Sequence, residues 1–506
     1  MKKSILFIFV LFLSCIIHSQ TNDNEQKAIA RLKADLEFLA SDAMEGREAT
    51  TNSENITAQY LVAEMKKIGL SPINKDGSFI QRIPVETSKF DPNSEVNWYD
   101  KDGNKNSLSM GKDWATQPVE FNDSLMNQKS KLVFCGYGIT ADEYNYNDYK
   151  DIDVKGKILL LMWGEPESND SAYFNGPTPT KYYGPGFKTK LAVSKGAAGI
   201  IFIPDVLLNS YWRYMERMVE ISSVSLIDTT ATHPGASIPA IVISRETART
   251  ILQNEKYDFP AVDTLLVQGK CESFDLDKSA LINIKIDSRH DEIENVIGVI
   301  EGTDSKLKNK FITIGAHYDH EGVWNGVVYN GADDNGSGTV AVLEILRNLK
   351  QAGLKHSVLG ILYSGEEKGL LGSKYFVKNY PDLENLLVNI NVDMCGRGKT
   401  DSLTSKASQE TSTKLYELIQ QVDSEMDEIG FYYEPGINSA QGTSDHASFA
   451  SAGIPAVFFT DDMRVDLHLP SDDADKINYL KILNTTHVVE KLVKKIDDFE
   501  GSLKSN

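Results

Sequence analysis

The stretch His317-Tyr318-Asp319-His320 follows an apolar run, Phe311-Ile312-Thr313-Ile314-Gly315-Ala316. Further along, Asp333 and Asp334 sit within Gly331-Ala332-Asp333-Asp334-Asn335-Gly336-Ser337-Gly338, ahead of a helical pattern. Glu366 and Glu367 follow a second apolar run at 359–363, Asp393 a third at 388–392, and His468 comes after a fourth ending near Thr460. Singly, these residues have ordinary readings. Paired acids are commonly a solvated turn, an Asp pair ahead of a helix caps it, and a His after a strand commonly faces solvent. Together they point elsewhere. Carboxylates gathered at one place repel unless a cation neutralises them, and mixed His and carboxylate donors suit zinc. The chemistry available to such a set is that of a metal site with a neighbouring carboxylate able to move a proton.

The elements that must position these residues are legible from apolar spacing. From about residue 290, strands at 311–316, 358–363, 388–392 and 456–459 alternate with helical stretches, including 340–349. An amphipathic helix at 477–499 closes the chain, with Leu480, Leu483, Leu492 and Ile496 on its apolar positions. This alternation predicts an α/β fold with a mixed, mainly parallel sheet flanked by helices. In open sheets of that kind, sites form outside the carboxyl ends of strands. Helical spacing also appears at 27–40 (Ile29, Leu32, Leu36, Leu39) and at 55–69 (Ile56, Tyr60, Ala63, Ile68), with the polar loop Ser41-Asp42-Ala43-Met44-Glu45-Gly46-Arg47 between them. Between about 90 and 280, runs at 131–137, 157–163, 198–203 and 240–244 alternate with Gly and Pro and read as strands of a self-contained module with little catalytic chemistry.

A chain of 506 residues is long enough for two or three domains. Its formal net charge of −20 argues against nucleic acid and anionic lipid as partners. Lys2 and Lys3 precede an apolar run at 5–17, too short for a typical spanning helix, and Ser19-Gln20-Thr21 follow. This pattern predicts a signal peptide over 1–19 and export to the periplasm or the exterior, with lipid anchoring through Cys15 as the lesser alternative. No later stretch is apolar for long enough to span a membrane. Removing the signal leaves Cys135, Cys271 and Cys395, an odd set that makes no disulfide scaffold, although Cys135 and Cys271 could pair.

The order of the motifs resembles the two-zinc (co-catalytic) aminopeptidase family, in the branch with an inserted protease-associated (PA) domain. The resemblance rests on Ala316-His317-Tyr318-Asp319, on the 331–338 segment quoted above, and on Ser364-Gly365-Glu366-Glu367-Lys368-Gly369-Leu370-Leu371-Gly372-Ser373. Asn391-Val392-Asp393-Met394, Ser444-Asp445-His446, Leu467-His468-Leu469-Pro470-Ser471-Asp472 and the opening Leu39-Ala40-Ser41-Asp42-Ala43-Met44-Glu45-Gly46-Arg47 extend it over nearly the whole mature chain. The resemblance implies two Zn2+ per chain, one held by His317 and Asp393, the other by Glu367 and His468, with Asp334 bridging. It implies Glu366 as the general base and acid, and Asp319 and Asp445 as supports. It places the peptidase fold at 25–110 and 280–500 and a β-rich PA insert at 130–265, marked by Cys135-Gly136-Tyr137-Gly138-Ile139, Asp153-Val154-Lys155-Gly156-Lys157-Ile158 and Gly196-Ala197-Ala198-Gly199-Ile200-Ile201. One departure stands out: where some members carry Tyr before the last His ligand, this chain has Leu467.

The expected activity is removal of amino-terminal residues from peptides. A carboxypeptidase or dipeptidase on the same site, a glutaminyl cyclase-like transferase with a single zinc, and a metal-free binding protein on the same fold are the alternatives. The intact set of five ligands argues against the last two.

Overall fold

The computed structural model describes residues 23–116, 128–227, 238–267, 272–407, 412–426, 430–433, 442–461 and 465–504. The predicted signal peptide, Cys15 and Cys271 lie outside them. Among the described residues no helix is long and apolar enough to cross a membrane, and Cys135 and Cys395 are buried free thiols. The chain divides into two compact units, one of residues 1–85, 224–227 and 290–506, the other of 86–223 and 228–289.

The first unit is built on a ten-stranded sheet. Its centre is Phe311–His317, parallel to Ser357–Tyr363 on one side and to Leu386–Val392 on the other. Ala456–Thr460 continues the parallel set beyond Leu386–Val392, while Ile286–Ile300 pairs antiparallel with Ser357–Tyr363 and Ser402–Lys406 antiparallel with Ala456–Thr460. The sheet is therefore mixed and parallel at its core, as predicted. Every residue of Ser357–Tyr363 is buried, which a parallel strand covered by helices on both faces requires. One face carries the helices at 23–39, Asn52–Ile68, Gly338–Ala352 and Tyr479–Asp498, packed through Leu32, Leu36, Leu61, Leu346 and Leu492. Leu371–Asn379 and His446–Ser451 pack through Phe376 and Phe449 into a separate apolar cluster with Leu359 and Ile361.

Two helical faces differ from the sequence reading. In Asn52–Ile68 the buried stripe is Ala58, Leu61, Val62 and Met65, and Ile56 is exposed. Those four residues follow i, i+3, i+4, i+7 spacing, and the stripe is headed one turn earlier by the buried acid Glu54, whose polarity disguises the pattern. In the last helix Leu483, Leu492 and Ile496 are buried but Leu480 is 46% exposed, because it sits in the first turn, where the helix starts at Tyr479.

The second unit holds an eight-stranded sheet in the order Lys105–Leu108, Glu95–Tyr99, Phe274–Asn283, Ser130–Phe134, Ile158–Met162, Gly199–Ile203, Ala240–Ile243 and Trp114–Ala115. The strands at 95–99, 105–108 and 114–115 pair onto this sheet, so the unit reaches further towards the amino terminus than the 130–265 segment read from sequence. None of the described clusters of possible metal ligands falls in it.

Leu346 fills the space over Gly360, where an added Cβ would lie 2.3 Å from a Leu346 methyl. Leu346→Ala should therefore cost about 3 kcal/mol of stability in chemical denaturation, whereas Leu480→Ala, in an exposed position, should stay within about 0.5 kcal/mol.

Candidate metal centre

The parallel strands bring the sequence-predicted residues together at their carboxyl ends. His317 is the last residue of its strand, Asp393 comes directly after Val392, Glu366 and Glu367 follow the turn after Tyr363, and His468 lies in the segment after Thr460. Asp334 lies within Ala332–Ser337, directly ahead of Gly338–Ala352.

Asp334 is the centre of the arrangement. Its Oδ1 lies 3.4 Å from His317 Nε2 and its Oδ2 3.3 Å from His468 Nε2. Asp393 Oδ1 lies 3.5 Å from the same nitrogen of His317, and Glu367 Oε2 lies 3.1 Å from that of His468. Two donors bonded to one tetrahedral ion at about 2.0–2.1 Å stand about 3.3 Å apart, so these spacings fit two donor groups sharing Asp334. Asp393 Oδ1 is buried without a hydrogen-bond partner, which a cation there would satisfy. Glu366 Oε2 stands beside these donors, 4.0 Å from His317 Nε2, and is near enough to His317 and Asp393 to join a metal there, although its spacing is wider than that of the other donor pairs.

The electrostatics follow from this crowding. Burial by itself would lower His317, but Glu366 and Asp393 outweigh it and hold the ring well above its usual pKa. Burial would likewise lower His468, which Glu367 and Asp334 hold up at about 12. Glu366 is pushed well above the usual carboxylate range, first by burial and then by Glu367, with His317 opposing. The histidine protons neutralise carboxylates here, and a bound cation would displace them.

Asp319 and Asp445, the expected supports, stand beside the site in different ways. The main-chain oxygen of Asp319 lies 3.1 Å from His317 Nδ1, and its carboxylate is 3.7 Å away. That carboxylate instead accepts from the backbone amides of Glu366 and Glu367, at 3.1 and 3.4 Å. Asp445 is fully buried and raised to about 7 by burial, with His317 opposing, but the direct contact to a ligand comes from its neighbour, as Ser444 Oγ donates to Asp393 Oδ2 at 2.6 Å.

Several residues near the site were given no role by the sequence reading. Asp472 accepts from the amides of Asp333 and Asp334, at 3.0 Å each, and thereby fixes Asp334. Glu321 Oε1 lies 3.6 Å from His468 Nδ1, the nitrogen turned away from Asp334. His320 Nδ1 lies 2.9 Å from Glu367 Oε1. Glu54, raised to about 7 by burial, accepts from Ser364 Oγ at 2.6 Å. Arg47, at the end of the supposed polar loop, is fully buried and donates to the main-chain oxygens of Leu39, Tyr318, Asn330 and Gly331 at 2.6–2.9 Å. The signal for Arg47 and Asp472 was present, since both fall inside quoted motifs; nothing in local spacing distinguished Glu54.

Residues 295–493 of this chain match peptidase family M28. Its curated relatives include an aminopeptidase, YwaD, of Bacillus subtilis, 26% identical over 359 residues that make up 67% of this chain and 63% of the relative. They also include a probable leucine aminopeptidase of Arthroderma otae, 30% identical over 39% of this chain and 62% of the relative. These matches thus span about three-fifths of the relatives' length. Among solved structures, the fold is shared with an aminopeptidase from Aneurinibacillus sp. strain AM-1 (TM-score 0.60, 18% identity, 94% of this chain and 95% of that one). It is shared also with a zinc aminopeptidase from Bacillus subtilis (TM-score 0.54, 20% identity, 94% and 97%).

Two predictions follow from the site's supports. Arg47→Lys replaces a planar fork by a point charge that cannot reach four carbonyls, and each buried carbonyl left unpaired costs about 1–3 kcal/mol; urea denaturation should show a loss of at least ~2 kcal/mol. The second concerns His446, buried with its ring stacked 4.8 Å from Phe458 and lowered to about 3 by burial, with Lys406 adding to the effect. Folded protein keeps this ring neutral while the unfolded chain protonates it below about 6.5, so its contribution is intact above about 6.5 and is lost as pH falls towards 3. His446→Gln should flatten the fall in stability between pH 6.5 and 4, by up to ~3 kcal/mol in denaturation midpoints followed against pH.

Proposed function

We infer that this chain is an exported zinc peptidase that removes amino-terminal residues from peptides, with two zinc ions in its site. The observation that carries the reading is Asp334, which turns one carboxylate oxygen to each of two histidine-led donor pairs. His317 and Asp393 would hold one ion, and Glu367 and His468 the other. The zinc named for the B. subtilis structure and the aminopeptidase names of the relatives support the choice of ion and reaction. When bound, the ions would supply polarisation of the scissile carbonyl and a water acidic enough to attack it.

The chain's own residues supply the proton movement. Glu366 stands beside the donor set, so it is placed to take the proton of the attacking water and return it to the departing amine. Burial pushes its carboxyl well above the usual range, which suits a group that must also act as an acid. Asp319 fixes both glutamates through their amides, so Glu366 and Glu367 divide base and ligand roles without exchanging places. Leu467 offers no hydroxyl where some relatives of this type have Tyr. The unit of 86–223 and 228–289, as a PA insert, would shape substrate access rather than take part in the chemistry.

Glu366→Gln keeps size and reach but cannot accept a proton. Turnover of amino-terminally free peptides should fall by roughly 10²–10⁴ with zinc content unchanged, while Glu367→Gln should lose one ion. Lowering the pH should weaken zinc binding to the parent protein, because His317 and His468 must shed protons to ligate. Metal analysis and turnover on both variants check the assignment, and loss of zinc from Glu366→Gln with retention in Glu367→Gln would reverse it.

A further inference from the structure

His320 lies among the ligands, yet the reading above leaves it without a role. Its ring is fully buried. Nδ1 stands 2.9 Å from Glu367 Oε1 and 3.8 Å from Asp334 Oδ2. The other oxygen of Glu367, Oε2, faces His468 Nε2 at 3.1 Å. An ionised glutamate has no proton to give, so the proton in the 2.9 Å contact is carried by Nδ1.

His320, Asp334 and Glu367 are near enough to one another to hold an ion together, but two lengths favour a donor over a ligand. The contact to Glu367 has the length of a hydrogen bond and is shorter than the roughly 3.3 Å edge between two donors on one tetrahedral ion. Asp334 Oδ2, at 3.8 Å, lies beyond that edge. The fold also seats the ring. Gly331 has φ +58°, and a Cβ there would lie 2.4 Å from His320 Cγ, so only a glycine leaves room for the imidazole. The backbone amide of His320 donates to the Arg47 main-chain oxygen at 3.3 Å. Nε2 is buried with no hydrogen-bond partner, so no competing bond draws the ring away from Glu367.

We propose that His320 is a positioning residue whose Nδ1–H engages Glu367 Oε1, so that only Oε2 is offered to the ion shared with His468. It therefore sets the affinity of that ion and not of the ion held by His317 and Asp393. The inference rests on the two-ion reading of the site. The selectivity has a structural ground, because the other pair has its own supports, the Asp319 main-chain oxygen on His317 and Ser444 on Asp393, and His320 touches neither.

The test is zinc binding by the full chain in chelator-buffered solutions of stepped free zinc, with bound ions counted by native mass spectrometry. His320→Phe fills the ring's space and cannot donate; His320→Ala is the second variant, to be used should the first misfold. His320→Asn places an amide nitrogen near the position of Nδ1 and can donate. His320→Phe or His320→Ala should weaken one of two ions by about 10–100-fold, the usual worth of such a support, and leave the other within about threefold. His320→Asn should recover most of the loss. Equal weakening of both ions, weakening of neither, or an Asn variant as weak as Phe would overturn the proposal. A parent protein that binds fewer than two ions overturns the two-ion reading and this inference with it, and that failure is visible before any substitution is made.

Discussion

The arrangement of this site depends on one constraint: carboxylates packed out of water must be neutralised. Asp319, Asp334 and Asp393 are buried and the side chain of Glu367 is 5% exposed, with Glu366 and Asp445 beside them. The protein's permanent cations nearby are committed elsewhere. The Arg47 guanidinium is spent on four main-chain oxygens, and Lys368 pairs with Glu48 at 2.8 Å. The groups in direct contact with the Asp334 and Glu367 carboxylates are the histidines, whose protons are exchangeable. A pocket whose nearest opposing charges are protons is one that a dication can enter by displacing them. A fixed lysine or arginine in the same place would have closed it.

The position of that charge is controlled through the backbone. Asp472 and Asp319 accept from amides of the very residues that carry the bridging and paired carboxylates. An amide cannot be lost to titration and cannot rotate away as a side chain can, so these bonds transmit the register of the strands directly to the functional side chains. The strand register does the rest. His317 is opposite Tyr363, and Asn391 is opposite Gly315. The ends of three neighbouring strands are therefore level, and the residues just beyond them meet without long loops.

How much of this was legible in the sequence depended on the range of the interaction. The parallel core was readable because strands buried on both faces are continuous apolar runs, and the residues after them inherit a common edge. His317, Asp334, Glu366, Glu367, Asp393 and His468 stood out for that reason, with the family resemblance implying their roles. Asn52–Ile68 was read on the wrong face because Glu54, a buried acid, heads its apolar stripe and Ile56 points outward. Local periodicity has no means of knowing that Ser364, 310 residues away, will satisfy that acid. The role of Asp319 was half legible. Its closeness to His317 is local, whereas its grip on the 366–367 amides arises only once neighbouring strands pair.

Arg47 shows why the opening motif belongs to the site although its contacts lie 271–284 residues away along the chain. Burial lowers its pKa only to about 10, so it stays charged at neutral pH inside the protein. A buried charge is tolerable only when its donors are satisfied and opposite charge is near; four carbonyls meet the first need, and Asp472, Asp319, Asp334 and Glu367 meet the second. The carbonyls it holds belong to Tyr318, one residue past His317, and to Asn330 and Gly331, just ahead of Asp334. Arg47 therefore ties the segment bearing His317 to the segment bearing Asp334 through main-chain oxygens. Its charge favours the anionic state of the site through space, while its hydrogen bonds leave the ligand oxygens open.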